Sequence, residues 1–398
     1  MKLRALIPML AMPLAISSAW AADDGPSITI SGFGTAAVTH SNSEDADFIR
    51  PNQAAGSRDN YRTGVDSNFG IQATAKFNDM FSFTGQGLVR KYVTDSVGAE
   101  LAWAFAKVRL SDHLNLRVGR VGLPVYMISD YRNVGYVQNM IRPPVEMYSQ
   151  VPIDSVDGVD AVYQTSFGDT AVTAQLAFGK TKTDSAGGYT VDLNRLYSLN
   201  LVAEMEPFTF RFGHAGTRLS IDNNASLNAV VGGLSKFGFK SAADSLAVKD
   251  AKGTFTSLGF GLDWKNIVVQ AEYGKRKTDS LTVADTTSWY TMAGYRIGKF
   301  LPYYNHASVR QNSPRTVAGV PTTGPFAALG IGANAIASTA SIQTSNSLGV
   351  RWDFYKSAAL KVQIDRFSPE NGSGTFANAK PGFKGPVTVF AAGIDFVF

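Results

Sequence analysis

The chain of 398 residues has no cysteine, so it closes without disulfide staples, and neither thiolate chemistry nor Cys-ligated zinc is open to it. It is also short of long apolar runs: residues 22–398 contain no stretch of the roughly 18 apolar residues that a spanning helix needs. An excess of either charge is missing as well. Setting aside Lys2 and Arg4 leaves 35 basic against 32 acidic residues, a net charge of +3, too mild to draw in nucleic acid.

What is present begins with an export signal. Lys2 and Arg4 form a positive start, Ala5–Ile16 an apolar stretch, and Ala19-Trp20-Ala21 a small-x-small cleavage site, so residues 1–21 read as a signal peptide and 22–398 as the mature domain. Glycine (38) and phenylalanine (25) are abundant while mean hydropathy is −0.04, too polar for a bundle of membrane helices and too aromatic for a disordered chain. A large β-rich protein remains, either a soluble periplasmic sandwich or a barrel in an outer membrane.

Short and long connections alternate strictly along the mature chain. The short ones are turn-like: 78–79, 111–113, 168–169, 206–207, 265–266, 298–299 and 355–357. Between them lie long polar or Gly-rich stretches: 41–60, 93–99, 120–157, 183–192, 222–252, 278–286, 312–343 and 368–385. Up-and-down antiparallel strands place every other connection at the same end, so the expected fold is an all-β transmembrane antiparallel barrel of about sixteen strands. The 222–252 loop has room for a helix around Ala225–Leu246, and the 312–343 loop reads as mobile from its Pro, Gly, Ala and Thr content.

Period-2 patterning supports a lipid-facing exterior. Phe69, Ile71, Ala73, Ala75 and Phe77 share a face, as do Leu258, Phe260, Leu262 and Trp264, and, at the end of the chain, Phe390, Ala392, Ile394, Phe396 and Phe398. Aromatics gather beside the short turns, at Phe77, Phe81, Phe167, Phe208, Trp264, Phe300, Phe354 and Tyr355, the level at which a membrane interface selects them. In 101–110 the phase is set by turning Lys107 and Arg109 inward, which puts Ala102, Ala104, Ala106, Val108 and Leu110 on lipid.

The signal peptide, the strand count, the terminal Phe398 on an alternating strand and the long insertion after the fifth strand together resemble the Gram-negative outer-membrane porin superfamily. The resemblance implies that the third long connection folds into the barrel and narrows the pore, that subunits assemble as homotrimers, and that the Phe398 terminus is read by the barrel-assembly machinery. Outer-membrane lipid and lipopolysaccharide are the implied surroundings. That third connection, 120–157, is unusually apolar for an exposed loop, with Tyr126, Tyr131, Tyr136 and Tyr148 among methionines and the stiff pair Pro143-Pro144. It departs from general-diffusion porins in carrying only Asp130, Glu146, Asp154 and Asp157 as acids.

A narrow low-dielectric waist strengthens the field of each charge on a passing ion. The candidate constriction is therefore Asp130, Arg132, Arg142, Glu146, Asp154 and Asp157 on the loop, facing a basic wall of Arg90, Lys107, Arg109 and Arg117, with a lean towards anions. Further round, Arg211, Arg276, Arg351 and Lys361 also phase inward, with Glu272 and Asp365.

Other motifs carry less. His214 in Gly213-His214-Ala215-Gly216 invites a hydrolase reading, but no Gly-x-Ser-x-Gly elbow or His-Glu-x-x-His pair accompanies it. Gly330-Ile331-Gly332-Ala333-Asn334-Ala335 imitates a dinucleotide fingerprint without its strand and helix, and Glu44-Asp45-Ala46-Asp47 has the acids of a cation site in what reads as a solvated loop. The function expected is passive diffusion of small hydrophilic solutes and ions through a water-filled channel, without cofactor or catalysis. A channel selective for sugars or small organic acids is the nearest alternative.

Overall fold

The computed structural model describes residues 26–312, 315–337, 341–370 and 372–398; the signal peptide expected at 1–21 lies outside them. The strands, in order, are β1 (Ser27–Ser41), a two-residue β2 (Tyr61–Arg62), β3 (Asn68–Lys76), β4 (Phe81–Lys91), β5 (Val97–Arg109), β6 (Leu114–Gly122), β7 (Ser155–Phe167), β8 (Thr170–Asp184), β9 (Thr190–Met205), β10 (Phe208–Asp222), β11 (Ala251–Trp264), β12 (Ile267–Thr278), β13 (Thr286–Tyr295), β14 (Phe300–Gln311), β15 (Ile342–Tyr355), β16 (Ala358–Glu370) and β17 (Val387–Val397). Apart from β2, a spur inside the first long loop, each strand pairs antiparallel with its neighbours in sequence. Sixteen strands thus form the wall among the described residues.

The wall closes where β1 meets β17, in register from Phe33↔Val397 to Ser41↔Val389. The last residue takes part: the Gly32 and Phe398 amides each donate to the other's carbonyl, at 2.9 and 3.0 Å. Closure leaves no unpaired edge for hydrocarbon to cover. At this seam a Cβ on Gly32 would lie 2.2 Å from Cζ of the Phe398 ring, so a side chain there would displace the terminal ring.

The faces divide as the alternation requires. Ile71, Leu258, Leu348, Ile364 and Ile394 are exposed on the outside. At the short-turn end Phe77, Phe81, Phe167, Trp264, Phe300, Tyr355 and Phe398 form an exposed aromatic level. Bulges interrupt the alternation in places, as in β9, where both Leu193 and Leu196 turn inward, and in β5. Between Gln86 and Gly87 of β4 the register with β5 slips, setting Trp103 opposite Gln86 and Leu101 opposite Gly87. The extra residue, Ala102, turns inward to pack with Phe33, Leu88 and Val397, not onto lipid as strict period 2 suggests.

All seven short turns fall where expected, while strands run further into several of the long loops. The third long connection is only 123–154, since β6 continues to Gly122 and β7 starts at Ser155. The 222–252 loop folds into α2 (Ala225–Lys236), capped by the Asn224 side chain accepting from the Leu227 amide, and α3 (Lys240–Leu246). The 312–343 loop carries α4 (Ala327–Ala337), and Phe326 packs its ring against Phe237 and Phe239. Apolar burial between helices outweighs the poor helix propensity of Gly330 and Gly332.

A charge placed on the outer face tests the orientation of the sheet. Leu258→Arg is expected to cost roughly 2–4 kcal/mol in urea unfolding of the bilayer-inserted protein, whereas Gln72→Arg on the inward face of β3 stays within about 1 kcal/mol. The reverse order would mean that the faces are misassigned.

Candidate functional site

The 123–154 segment enters the barrel and crosses it. Its four tyrosines and its methionines find cover there: Tyr126 and Tyr148 stack with ring centroids 4.4 Å apart, Tyr126 meets Phe255 edge-on, and Met147 is fully buried. A crossing segment has irregular backbone, and its buried carbonyls need donors. The wall supplies them from its basic side chains. Arg211 of β10 donates to the carbonyls of Pro124 (3.0 Å) and Val125 (3.3 Å), and Arg276 of β12 to that of Gln150 (2.9 Å). Arg351 of β15 donates to Tyr136 and Gln138, both at 2.7 Å, and Lys361 of β16 to Gly135 (2.7 Å) and Met140 (3.0 Å).

Acids complete the attachment. Glu272 of β12 accepts from the Met127 amide (2.8 Å) and from the hydroxyls of Tyr148 and Tyr290. Asp395 of β17 binds the Lys361 ammonium at 2.9 Å, and the Asp395 and Thr35 side chains crowd Gly135 so closely that any side chain there would collide with them. Arg142 is the loop's own anchor. Its guanidinium makes a two-bond fork with Asp66 (2.9 and 2.8 Å) and a third bond to Asp365 (2.7 Å), all three groups buried.

Between loop and wall three hollows follow one another. The outer one, about 360 Å³, is bounded by Tyr92, Thr94 and Thr183 at the long-loop end and by Arg90, Trp103 and Tyr131 below. The inner one, about 350 Å³, reaches Pro207, Gly298 and Lys299 at the short-turn end and is roofed by Met127 and Tyr131. A third, of only about 30 Å³, sits against β9 and β10 and is lined by Asp130, Tyr131, Asn200, Glu204 and Arg211. Tyr131 lines all three, so all three border the 126–134 stretch of the loop.

The sequence-derived site residues take distinct places around this waist. Asp130 is at it, with its carboxylate beside Gly122 and Trp103; burial raises its pKa and the nearby Arg117 opposes the rise. Lys107, Arg117 and Asp160 stand in one row across β5, β6 and β7, Arg117 holding Asp160 with two hydrogen bonds while Lys107 makes no ion pair among the described residues. Arg90 bridges Glu100 (2.7 Å) and Asp154 (2.8 Å), and Arg132 takes the other oxygen of Asp154 (2.8 Å). Burial pushes the Asp154 carboxyl up, but Arg132 and Arg90 outweigh it and hold it at about 2.

Four of the candidates lie away from the passage. Arg142 is an anchor behind the loop, and Glu146 is wholly buried, accepting from Gln343 Nε2 at 2.7 Å with no ion pair to a cation among the described residues. Asp157 belongs to β7, where it faces outward and forks with Arg120 (2.7 and 2.8 Å). Arg109 is at the rim, paired with Asp112 of the next turn. Asp66, Glu100 and Asp395 escaped the sequence reading. Only Asp395 left a trace, as a lone carboxylate in an apolar strand that has to find a cation when its face is buried.

The other motifs are placed too. His214 points outward with Phe210, its Nδ1 2.8 Å from Thr256 Oγ1 and its ring beside Tyr197, so its orienting neighbour is a hydroxyl and it faces away from the lumen. Asp45 and Asp47 are taken up by Lys380 (3.1 Å) and Arg58 (2.7 Å). Gly330 and its neighbours form helix α4, where Gly330 is approached by the Pro321 carbonyl, not a phosphate loop.

A closed antiparallel barrel, greasy outside, with a waist made by an inserted loop, defines a transmembrane diffusion channel. The sequence comparison agrees: the family pattern of Gram-negative porins matches residues 9–314, and the chain belongs to that family. It is an outer-membrane porin. Among solved structures it is similar to OmpF of Salmonella typhi, solved in complex with daunomycin (13% identity, TM-score 0.57, 94% of this chain and 98% of that one). It is also similar to OmpT of Vibrio cholerae (12%, 0.56, 95% and 99%) and to the outer membrane channel DcaP of Acinetobacter baumannii (10%, 0.52, 95% and 99%). At these identities the likeness speaks for the fold. No curated protein sequence matches the chain.

Two substitutions separate anchoring from lining. Arg142→Met strands Asp66 and Asp365 and is expected to cost about 3–5 kcal/mol; single-channel recordings should show a larger, noisier conductance as the loop loosens. Burial raises the pKa of Glu146. Its stabilising contribution is therefore whole below the unfolded value of about 4.3 and is lost as pH rises through the higher folded value. Glu146→Gln should melt above wild type at pH 8 and level with it at pH 4; equal melting points at both would count against the buried, uncompensated carboxyl.

Proposed function

We propose that small hydrophilic solutes and ions diffuse passively past the 126–134 stretch of the loop, without catalysis. The observation that carries this reading is the run of three hollows sharing Tyr131, open towards the long loops on one side and the short turns on the other. The eyelet is formed by Asp130 and Tyr131 on the loop against Lys107, Arg117 and Asp160 on the wall, with the Arg90–Asp154–Arg132 cluster at its outer lip. Opposed charges across a narrow gap set up a transverse field, which favours solutes with a dipole over apolar ones of the same size. Most eyelet charges are internally paired, so ion selectivity is weak, and the unpaired Lys107 tips it towards anions. Arg142 and Glu146 hold the loop in place, while Asp157 and Arg109 belong to the outer face and the rim.

The same reading extends to partners. Subunits associate as homotrimers, in keeping with the family and with a trimer form of Vibrio cholerae OmpT among the similar structures. The Phe398 terminus, held at the β1–β17 seam, is the part offered to the barrel-assembly machinery, and lipopolysaccharide covers the outer leaflet side.

Reversal potentials in a salt gradient across planar bilayers test the eyelet. Asp130→Asn should move selectivity towards anions and Lys107→Gln towards cations, each by a few millivolts or more, whereas Glu146→Gln leaves it in place. Because burial raises the pKa of Asp130, the Asp130→Asn difference should fade with falling pH earlier than for an ordinary carboxylate near ~3.9. Selectivity indifferent to both eyelet substitutions would move the waist elsewhere.

A further inference from the structure

The strand pairing does not reach equally far up the wall all the way round. β4 and β5 pair up to Lys91↔Val97, and β8 and β9 up to Asp184↔Thr190. Between these two hairpins the rungs stop earlier: β5 with β6 at Ala104↔Arg120, β6 with β7 at Gly122↔Ser155, and β7 with β8 at Asp157↔Lys180. Among the described residues, the Val97–Trp103 stretch of β5 therefore has β4 as its only strand partner, and Thr181–Asp184 of β8 has only β9. The 123–154 segment leaves the wall at this place and turns inward, so a notch stands between two longer flanks. β6 parts from β5 just past Gly119, whose φ is +131° and where a Cβ would lie 2.3 Å from the Ala104 carbonyl oxygen.

The outer hollow runs through this notch. Its lining takes in both flanks, 98–103 of β5 and 181–184 of β8, and between them Arg120. Arg120 belongs to the outer face: it forks with the outward Asp157, and its Nη1 donates to the Leu101 carbonyl on the open edge of β5 at 3.2 Å. An outward side chain that borders the same hollow as the inward Arg90, Trp103 and Tyr131 places that hollow across the wall. On the lipid side, Ala99, Glu100 and Leu101 also border an apolar depression on the outer face of β3–β5, together with Phe69, Ile71 and Val89. Depression and hollow thus meet at the open edge of β5. A strand edge without a partner cannot lie among acyl chains, so the notch opens at headgroup depth.

We propose that the notch between β5 and β8 is a side window of the channel, through which small amphipathic solutes, an aromatic ring carrying an uncharged polar head such as a sugar, pass from the headgroup layer into the outer hollow. The apolar depression takes up the ring outside, and Trp103, Tyr131 and Tyr92 receive it inside, where their own rings offer flat apolar faces. The sill supplies hydrogen-bonding groups without net charge: Arg120 is matched by Asp157, and Arg90 lies between Glu100 and Asp154. That balance suits a hydroxyl-rich head better than an ion. The window rests on the proposed passage past the 126–134 stretch for its inner half, and it adds an entrance that ions and free sugars arriving at the long-loop end do not need.

Because the chain has no cysteine, a single introduced one is a unique handle. With the full-length protein in planar bilayers, attaching a positively charged methanethiosulfonate to Arg120→Cys is expected to change the single-channel current by about a tenth or more, since the added charge stands in the hollow. The same reagent on Lys277→Cys, exposed on the outside of β12, should leave the current in place. In proteoliposomes Ala99→Trp, which narrows the outer rim, should slow the uptake of nitrophenyl glucoside at least about threefold relative to that of glucose. Should Arg120→Cys fail to insert, Lys182→Cys on the opposite flank takes its place. A current indifferent to the reagent at Arg120→Cys, an equal response at Lys277→Cys, a thiol at 120 that the reagent cannot reach because a second copy covers the notch, or equal slowing of both solutes in Ala99→Trp would each overturn the window while ion conductance persists. A wild-type protein without ion conductance would overturn the passage itself, so the two readings fail separately.

Discussion

The structure depends on how a loop of 32 residues, 123–154, satisfies its backbone inside a barrel. Irregular backbone at membrane depth survives only where its amides and carbonyls find partners in protein or water. Here the wall reaches in for them: Arg211, Arg276, Arg351 and Lys361, from four different strands, all donate to loop carbonyls, and Glu272 takes a loop amide. The carbonyls are fixed in number and place, so the wall side chains that meet them fix the path of the loop. Arg142 adds a reciprocal tie from loop to wall through Asp66 and Asp365.

That attachment sorts the inward charges into two groups. On the β10–β17 side they are consumed by the loop, buried and hydrogen-bonded, and they act on solutes only by keeping the loop where it is. On the β4–β9 side Arg90 bridges Glu100 and the loop's Asp154, Arg117 holds the buried Asp160, and Lys107 stands beside Arg117 with no ion pair among the described residues. A charge in the first group is costly to lose because its partner stays buried.

The exterior obeys a simpler rule, that of depth. Aromatics beside the short turns mark one interface, and Tyr273 and Trp289 mark the other on one arc of the wall. His214, which a motif search singles out, belongs to this outer surface, hydrogen-bonded to Thr256 and flanked by Tyr197. Its environment is that of an interfacial side chain.

What the sequence by itself determined is everything that follows from local periodicity: the strand count, the seven short turns, the lipid-facing rows and the pairing of the first strand with the last. Each is a property of a residue and its near neighbours, and period 2 transmits it except at bulges, as where the β4–β5 slip sends Ala102 inward and where β9 turns both Leu193 and Leu196 inward. The helix α4 was hidden because its glycines and alanines are helical only when packed on α2 and α3. The chemistry of the waist was half visible: the basic residues of β4–β6 and the loop acids could be picked out, but not which of them meet. Tertiary structure alone decided that Arg142 finds Asp66, that Glu146 is buried, that Asp157 turns outward and that Asp130 lines the hollows beside Tyr131. Those outcomes depend on where a long irregular segment crosses a barrel, and its carbonyls, identical in every residue, leave no mark in the sequence that would say which wall side chain each will meet.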